Sequence, residues 1–236
     1  MFDHRSLELE HLDKGDYTPE EYEGCLVELR RVNRYLGDTS ALRRSLLTEI
    51  ERTGLKSFSV LDVGAGSGEL LRAIAGWARS TNRQTHLVGL ELNARSAAAI
   101  LEESKDVSEI SSVRGDALRL PFKNDSFDYA MCSLFTHHFK DDGVITIFRE
   151  LNRVSRRGIF VIDLHRHAVA YYFYTTLGRL LFHNRLIRED GALSILRSFR
   201  PRELLRLAQL AQLVNAKVQR RFPFRLVLSG NKAEKL

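Results

Sequence analysis

The chain has 236 residues, 44% of them apolar and 28% charged, and two cysteines, which excludes a disordered, collagen-like or disulfide-stapled chain and fits one sizeable globular domain with an appendage. Its apolar residues fall in short runs, far from the roughly 18 consecutive positions of a membrane span. The net charge of +6 divides unequally: residues 1–148 carry 18 Lys/Arg against 24 Asp/Glu, and residues 149–236 carry 18 against 6. A basic half of this kind can serve nucleic acid, an anionic membrane surface or an acidic substrate, or form a solvated face.

The opening stretch MFDHRSLELEHLDKGD is acidic and polar, unlike a secretory signal or a transit peptide, so a cytoplasmic location is expected. Thr18-Pro19-Glu20-Glu21 reads as a helix start, with a cap, a first-turn proline and a Glu able to reach back. Tyr22, Leu26, Leu29, Val32 and Leu36 then recur at helical spacing until Gly37. A second helix is predicted from about Ser40 to Thr53, with Leu42, Leu46, Leu47 and Ile50 on one face and Gly54 as its stop. Residues 1–55 thus form a predicted N-terminal helical extension, and residues 56–236 the main domain.

From Phe58 the pattern changes to short apolar runs alternating with helical segments, the mark of βαβ units and a mostly parallel sheet. Strands are predicted over Phe58–Val63, His86–Glu91, Ile110–Gly115, Phe127–Ser133 and Gly158–Asp163, with helices near Glu69–Arg79, Ala94–Ser104 and Asp141–Val154. Residues 168–212 read as helical, interrupted near Glu189-Asp190-Gly191 and restarted at Pro201; a helical lid over about 168–200 is expected there. Two closing strands meet tightly around Phe222-Pro223. The fold class is α/β: a seven-stranded, mostly parallel, Rossmann-like sheet with helices on both faces. Cys25 and Cys132 are expected as reduced thiols, and no zinc-type Cys/His spacing exists, so no metal is expected.

Chemistry concentrates at the strand ends. Val60-Leu61-Asp62-Val63-Gly64-Ala65-Gly66-Ser67-Gly68-Glu69-Leu70 runs from a buried strand through an acid and three glycines into a helix. Such a turn lets backbone approach a ligand and offers free amides at a helix start. The spacing is GxGxG, and a carboxylate two residues before the first glycine would repel a pyrophosphate and favour a cation. The second strand ends on Glu91, suited to a ribose diol, and the third is followed by Asp116, suited to a purine amino group. Three acids at the carboxyl ends of successive strands point into one crevice.

These residues resemble the class I S-adenosylmethionine-dependent methyltransferases, in the branch acting on small molecules. VLDVGAGSGEL is similar to their first motif and GLELN to the acidic second one, while GDALRLPFKNDSFDYAMCSLFTHHF is similar to the third-strand acid and the strand after it. The resemblance covers about residues 56–165. It implies S-adenosylmethionine as cofactor, leaving as S-adenosylhomocysteine. Asp62, Gly64, Ala65, Gly66 and Gly68 would meet its methionine portion, Glu91 the ribose, Leu92 the adenine face, Asp116 and Ala117 the amino edge, and Cys132 and Ser133 the floor.

Methyl transfer needs positioning, water exclusion and, for a weak nucleophile, a base. His137 and His138 follow the fourth strand, and imidazole titrates near neutrality. His138 is slightly preferred, and the other histidine is expected to tolerate replacement far better, since successive residues leaving a strand point opposite ways. Asp163, ending the fifth strand, is a further acid/base candidate. The aromatic stretch with Tyr171, Tyr172 and Tyr174 suits a planar apolar acceptor, and Arg31, Arg34 and Tyr35 offer polar contacts to it. The expected activity is methylation of a hydroxyl, or an activated ring carbon, of an aromatic small molecule such as a polyketide or quinone precursor. Two other readings stand beside it, an RNA or other nucleic-acid methyltransferase and a non-catalytic cofactor-binding protein. Against the first, no Asn/Asp-Pro-Pro-aromatic motif follows the fourth strand. Transient contact with a membrane surface through the basic, aromatic stretch is a further expectation.

Overall fold

The computed structural model describes residues 2–18, 20–21, 24–25, 37–176 and 183–231. Its strands are β1 (Ser57–Val63), β2 (Gln84–Glu91), β3 (Ile110–Arg114), β4 (Phe127–Ser133), β5 (Ser155–Leu164), β6 (Val214–Arg221) and β7 (Arg225–Asn231). They form one sheet in the order β3-β2-β1-β4-β5-β7-β6. The first five run parallel, and β7 is antiparallel to both of its neighbours. The expected seven-stranded, mostly parallel α/β sheet is therefore the observed one.

A parallel sheet is covered on both faces, so its central strands must be apolar at successive positions. Residues 60–63, 129–132 and 158–163 are buried without a break. Alternate side chains divide them between two cores. Leu61, Ala130 and Val161 meet one face's helices, α6 (Asp141–Val154) and α9 (Pro201–Leu210). Val60, Met131 and Ile162 meet the other's, led by α4 (Glu69–Ser80) with α5 (Ala94–Glu103). The α4 helix buries Leu70, Leu71, Ile74, Ala75 and Ala78, an i, i+4 stripe. Asn93 caps α5 by accepting the Arg95 N–H at 2.8 Å.

Outside the sheet lie α1 (His11–Lys14), α2 (Asp38–Leu42), α3 (Thr48–Thr53), α7 (Ala168–Thr176) and α8 (Arg185–Arg197). Most of the helix predicted between Thr18 and Gly37 falls outside the described residues. The one predicted over 40–53 begins at Asp38 and passes through a π-helical turn, Arg43–Leu47. There the Thr48 hydroxyl donates to the Arg43 carbonyl, five residues back, at 2.9 Å, and Ser45 Oγ donates to the Ala41 carbonyl at 2.6 Å. Side chains that bond backbone carbonyls in this way loosen the regular ladder.

The break expected at Glu189-Asp190-Gly191 does not occur: α8 runs through it, and the chain turns instead at 198–200. The triplet serves tertiary contacts. Asp190 is buried and accepts the His11 and Leu12 N–H groups, at 2.8 and 3.1 Å, so it caps α1 from 178 residues away. Gly191 leaves room for the Tyr174 ring, which a Cβ would strike.

Candidate active site

The carboxyl ends of β1, β4 and β5 open into a cavity of about 1170 Å³. The turn after β1 forms one wall. Gly64 and Gly66 take φ of 71° and 59°, a region that favours glycine. At Gly64 a side chain would also strike the Phe135 ring. The turn is therefore bare backbone, open to close approach by a ligand.

Asp62 is buried at the foot of this turn, and its Oδ1 has no hydrogen-bond partner among the described residues. Burial, and then the nearby Glu91, push its carboxyl up to about 8. A buried polar atom without a partner asks for one, and a group that supplies positive charge here fits best. Glu91 is held up by burial as well, while its Oε1 accepts the Gly66 N–H at 2.5 Å. It thus rests against the glycine turn.

Asp62, Gly64, Ala65, Gly66 and Ser133 line the cavity. Gly68, at φ 80°, starts α4 just behind the turn. Leu92 is 65% exposed beside the second strand's tip, where a planar group can lie on it. Asp116 is exposed, and its Oδ1 accepts the Leu118 N–H at 2.8 Å; Ala117 beside it is buried. Cys132 sits within the core and not on the cavity wall, and burial raises its thiol well above the usual range. Cys25 and Cys132 are both buried.

The two histidines lie on the same wall. They occupy a 3-10 turn, Thr136–His138, instead of continuing β4, so their rings do not point opposite ways. The ring centroids are 4.3 Å apart with the planes 33° from parallel. His137, the one not preferred from sequence, is the more deeply set: it is 3% exposed, and its Nδ1 is 2.6 Å from Asp163 Oδ1. Asp163 Oδ2 accepts the Thr136 hydroxyl at 2.6 Å and the His137 N–H at 3.2 Å. Burial alone would raise Asp163, but the charge and hydrogen bond of His137, with the Thr136 and Leu164 donors, hold it down at about 2. An ionised carboxylate on Nδ1 leaves Nε2 of His137 to the cavity. His165, also on the wall, is lowered to about 4 by burial and then by His167 and neighbouring arginines.

Opposite the histidines runs the N-terminal segment, whose part in the site has no signature in the sequence. Glu10 is 2% exposed, and its Oε1 accepts the Ser194 hydroxyl at 2.9 Å. Burial raises Glu10 to about 6, against the lowering effects of His138, Ser194 and Arg197. Asp13 Oδ1 lies 3.1 Å from His138 Nδ1. The buried Arg197 guanidinium donates to the Glu8 carbonyl and, at 2.6 Å, to the His138 carbonyl. Arg5 donates to the Phe139 carbonyl at 2.9 Å and pairs with Asp141 at 2.8 Å. Arg197 and His138 stand 59 positions apart and the other pairs more than 120, beyond any local pattern.

The far end of the cavity is apolar, with Leu12, Val169, Phe173, Leu186 and Ile187 among its lining. Of the three tyrosines expected there, Tyr174 lines it, with its hydroxyl on the Ile187 carbonyl. Tyr171 and Tyr172 turn away and pack edge-on around Phe2. Arg31, Arg34 and Tyr35 lie outside the described residues. No helix among the described residues is long and apolar enough to cross a membrane.

Residues 60–158 match the family described as "Methyltransferase domain". A demethylmenaquinone methyltransferase of Staphylococcus aureus is 28% identical over 109 residues, 46% of this chain and 43% of that one. An uncharacterized methyltransferase of Bacillus subtilis, YcgJ, is 31% identical over 109 residues, 45% of this chain and 40% of that one. The chain thus spans less than half the length of these curated relatives. Among solved structures, a SAM-dependent methyltransferase from Aquifex aeolicus superposes with a TM-score of 0.62 at 13% identity, covering 92% of this chain and all of that one. The magnesium protoporphyrin IX methyltransferase of Synechocystis PCC 6803, with bound SAH, gives 0.59 at 14% identity over 84% of each chain. At such identities the likeness is one of fold.

Proposed function

We propose, from the class I S-adenosylmethionine-dependent methyltransferase domain that this chain carries, that it methylates a hydroxyl, or an activated ring carbon, of an apolar aromatic small molecule such as a quinone or polyketide precursor. One observation carries the reading: Asp62, with its unpartnered Oδ1, and His137, backed by Asp163, line the same cavity. When bound, S-adenosylmethionine supplies an electrophilic methyl group on a sulfonium. Asp62 meets its ammonium group, and the bare backbone of Gly64, Ala65 and Gly66 lets the methionine portion lie close. Glu91 takes the ribose hydroxyls, Leu92 covers the adenine, and Asp116 and Ala117 meet its amino edge.

Displacement at a sulfonium needs alignment and a dry site more than covalent help. The N-terminal segment around α1, with α7 and α8, supplies the cover, with Leu12, Phe173, Leu186 and Ile187 excluding water around a ring. His137, held at Nδ1 by Asp163, takes the acceptor's proton at Nε2. His137 would thereby leave the acceptor oxygen free to take the methyl group, which the donor would supply on leaving as S-adenosylhomocysteine. The Staphylococcus relative is named for demethylmenaquinone, which supports this choice.

The test is a screen of phenolic and quinone-like acceptors with radiolabelled donor. Label is expected in an organic-soluble product with the intact chain and not with Asp62→Ala. Label transferred to added RNA and to no small acceptor would overturn the assignment.

A further inference from the structure

Three donor atoms that can bind a metal, from Glu10, His137 and His138, lie within 4.8 Å of one another on the cavity wall. Nε2 of His137 is 3.9 Å from Glu10 Oε1, and Nδ1 of His138 is 3.7 Å from Glu10 Oε2. Both gaps exceed hydrogen-bond reach. Two ligands that share one ion at about 2.0–2.2 Å stand roughly 3–3.4 Å apart, so small side-chain adjustments close each histidine onto the carboxylate around an ion.

The surroundings match such a site in orientation and in charge. Asp163 holds Nδ1 of His137 at 2.6 Å and thereby turns its Nε2 lone pair toward Glu10; a carboxylate behind a ligating histidine is the usual support of a metal site. Ser194 holds Glu10 from behind at 2.9 Å, and Asp13, 3.1 Å from His138, offers a further oxygen. Glu10, Asp13 and Asp163 bring three negative charges to this corner. The facing cations are Arg197, 3.7 Å from Glu10 and 3.4 Å from Asp13, and Arg5, which donates to the His137 carbonyl at 3.3 Å and is matched by Asp141 at 2.8 Å. Metal-ligating imidazoles are neutral, so Arg197 then stands against three carboxylates in a largely buried place, an excess that a divalent cation balances.

We infer that Glu10, His137 and His138 form a binding site for a divalent transition-metal cation, which holds the acceptor by its hydroxyl oxygen. Two histidines and one carboxylate leave coordination positions open toward the cavity. An ion there draws electron density from a bound hydroxyl and eases loss of its proton. With the ion bound, Nε2 of His137 is a ligand, the ion takes over the acidifying role, and the hydroxyl proton leaves to a water molecule at the cavity mouth. The acceptor's part rests on the proposed methyl transfer; the ion site itself does not.

The experiment uses the untagged full-length chain, stripped by chelator and desalted. Calorimetric titration with Zn²⁺ is expected to show one ion per chain, and Co²⁺ to give visible ligand-field bands that Zn²⁺ abolishes. Glu10→Gln and His138→Ala should each weaken zinc binding at least tenfold with an unchanged circular dichroism spectrum. His86→Ala, at an exposed histidine on β2, should leave binding unchanged. If a variant fails to fold, X-ray absorption on the zinc-loaded wild-type chain decides: scattering from two imidazoles supports the site, and its absence overturns it. A folded chain that binds S-adenosylhomocysteine but takes up no zinc overturns this inference and leaves the proposed activity standing. Zinc uptake, lost on both substitutions, in a chain that binds no S-adenosylhomocysteine supports the site and overturns the proposed activity.

Discussion

Asp62 and His137 carry the two halves of the proposed chemistry: burial sets the first, and the Asp163 carboxylate holds the second. Asp62 is held near 8 by burial and Glu91, so a cationic ligand must bind with loss of its proton. Calorimetry with S-adenosylhomocysteine should therefore show affinity rising with pH up to about 8, with an enthalpy that varies with the buffer. Asp62→Asn should abolish that slope and, like Glu91→Ala, weaken binding by about 1–3 kcal/mol. His137→Ala should lower turnover by about 10²–10⁴ while binding of S-adenosylhomocysteine persists. Asp163→Asn should move turnover the same way, because an amide at 2.6 Å no longer fixes the ring's tautomer. Equal loss of cofactor binding in both variants would instead mean that the pair is structural. The place of Asp62 at the foot of the glycine turn was legible from sequence because one local pattern, strand then acid then glycines, encodes it. The choice between the two histidines was not, since it depends on a 3-10 turn closed by Asp163 from the next strand.

At the scale of elements, the cavity is completed where α1 meets α8, through the Asp190 carboxylate on two α1 amides. An alanine there should cost about 1–2 kcal/mol of stability, the scale of a lost cap. It should also raise KM for the acceptor while leaving cofactor affinity unchanged; a parallel rise in both dissociation constants would place the helix pair outside the acceptor site. Helices such as Asp141–Val154 were readable because a regular apolar stripe faces the sheet. Glu189-Asp190-Gly191 misled because Asp and Gly serve turns and tertiary contacts alike. Here Asp190 is spent on α1 and Gly191 on Tyr174, so propensity lost to packing.

Over the whole molecule, the excess of positive charge after residue 148 is partly drawn inward. Arg166, Arg197 and Arg225 are buried, and each is fixed by carbonyls or carboxylates, Arg225 by a two-point pair with Asp38 at 2.7 and 3.0 Å. Titration then shapes stability. Asp62 has a folded pKa of about 8 against about 3.9 for a free Asp, so the stability it confers is full below about 4 and is lost as pH rises toward 8. Asp163, at about 2, stabilises above about 4 and loses this as pH falls toward 2. Thermal melts should show the chain alone losing stability from about pH 6 to 8, and S-adenosylhomocysteine raising Tm more at pH 8 than at pH 6. A Tm shift independent of pH would remove Asp62 from the ligand site. The closing of the acceptor side has a kinetic corollary. Arg5 Nε bonds the Arg197 carbonyl across 192 positions, and Arg166 bonds the Phe2 carbonyl across 164. Contacts that close so long a loop form late in folding, whereas β1 to β4 with α4 and α5 join nearer neighbours. On the ribosome, β1 to β4 emerge before Arg197 is made. Under the proposed function, a nascent chain would thus be able to take up donor before Arg5 and Arg197 meet to close the acceptor side.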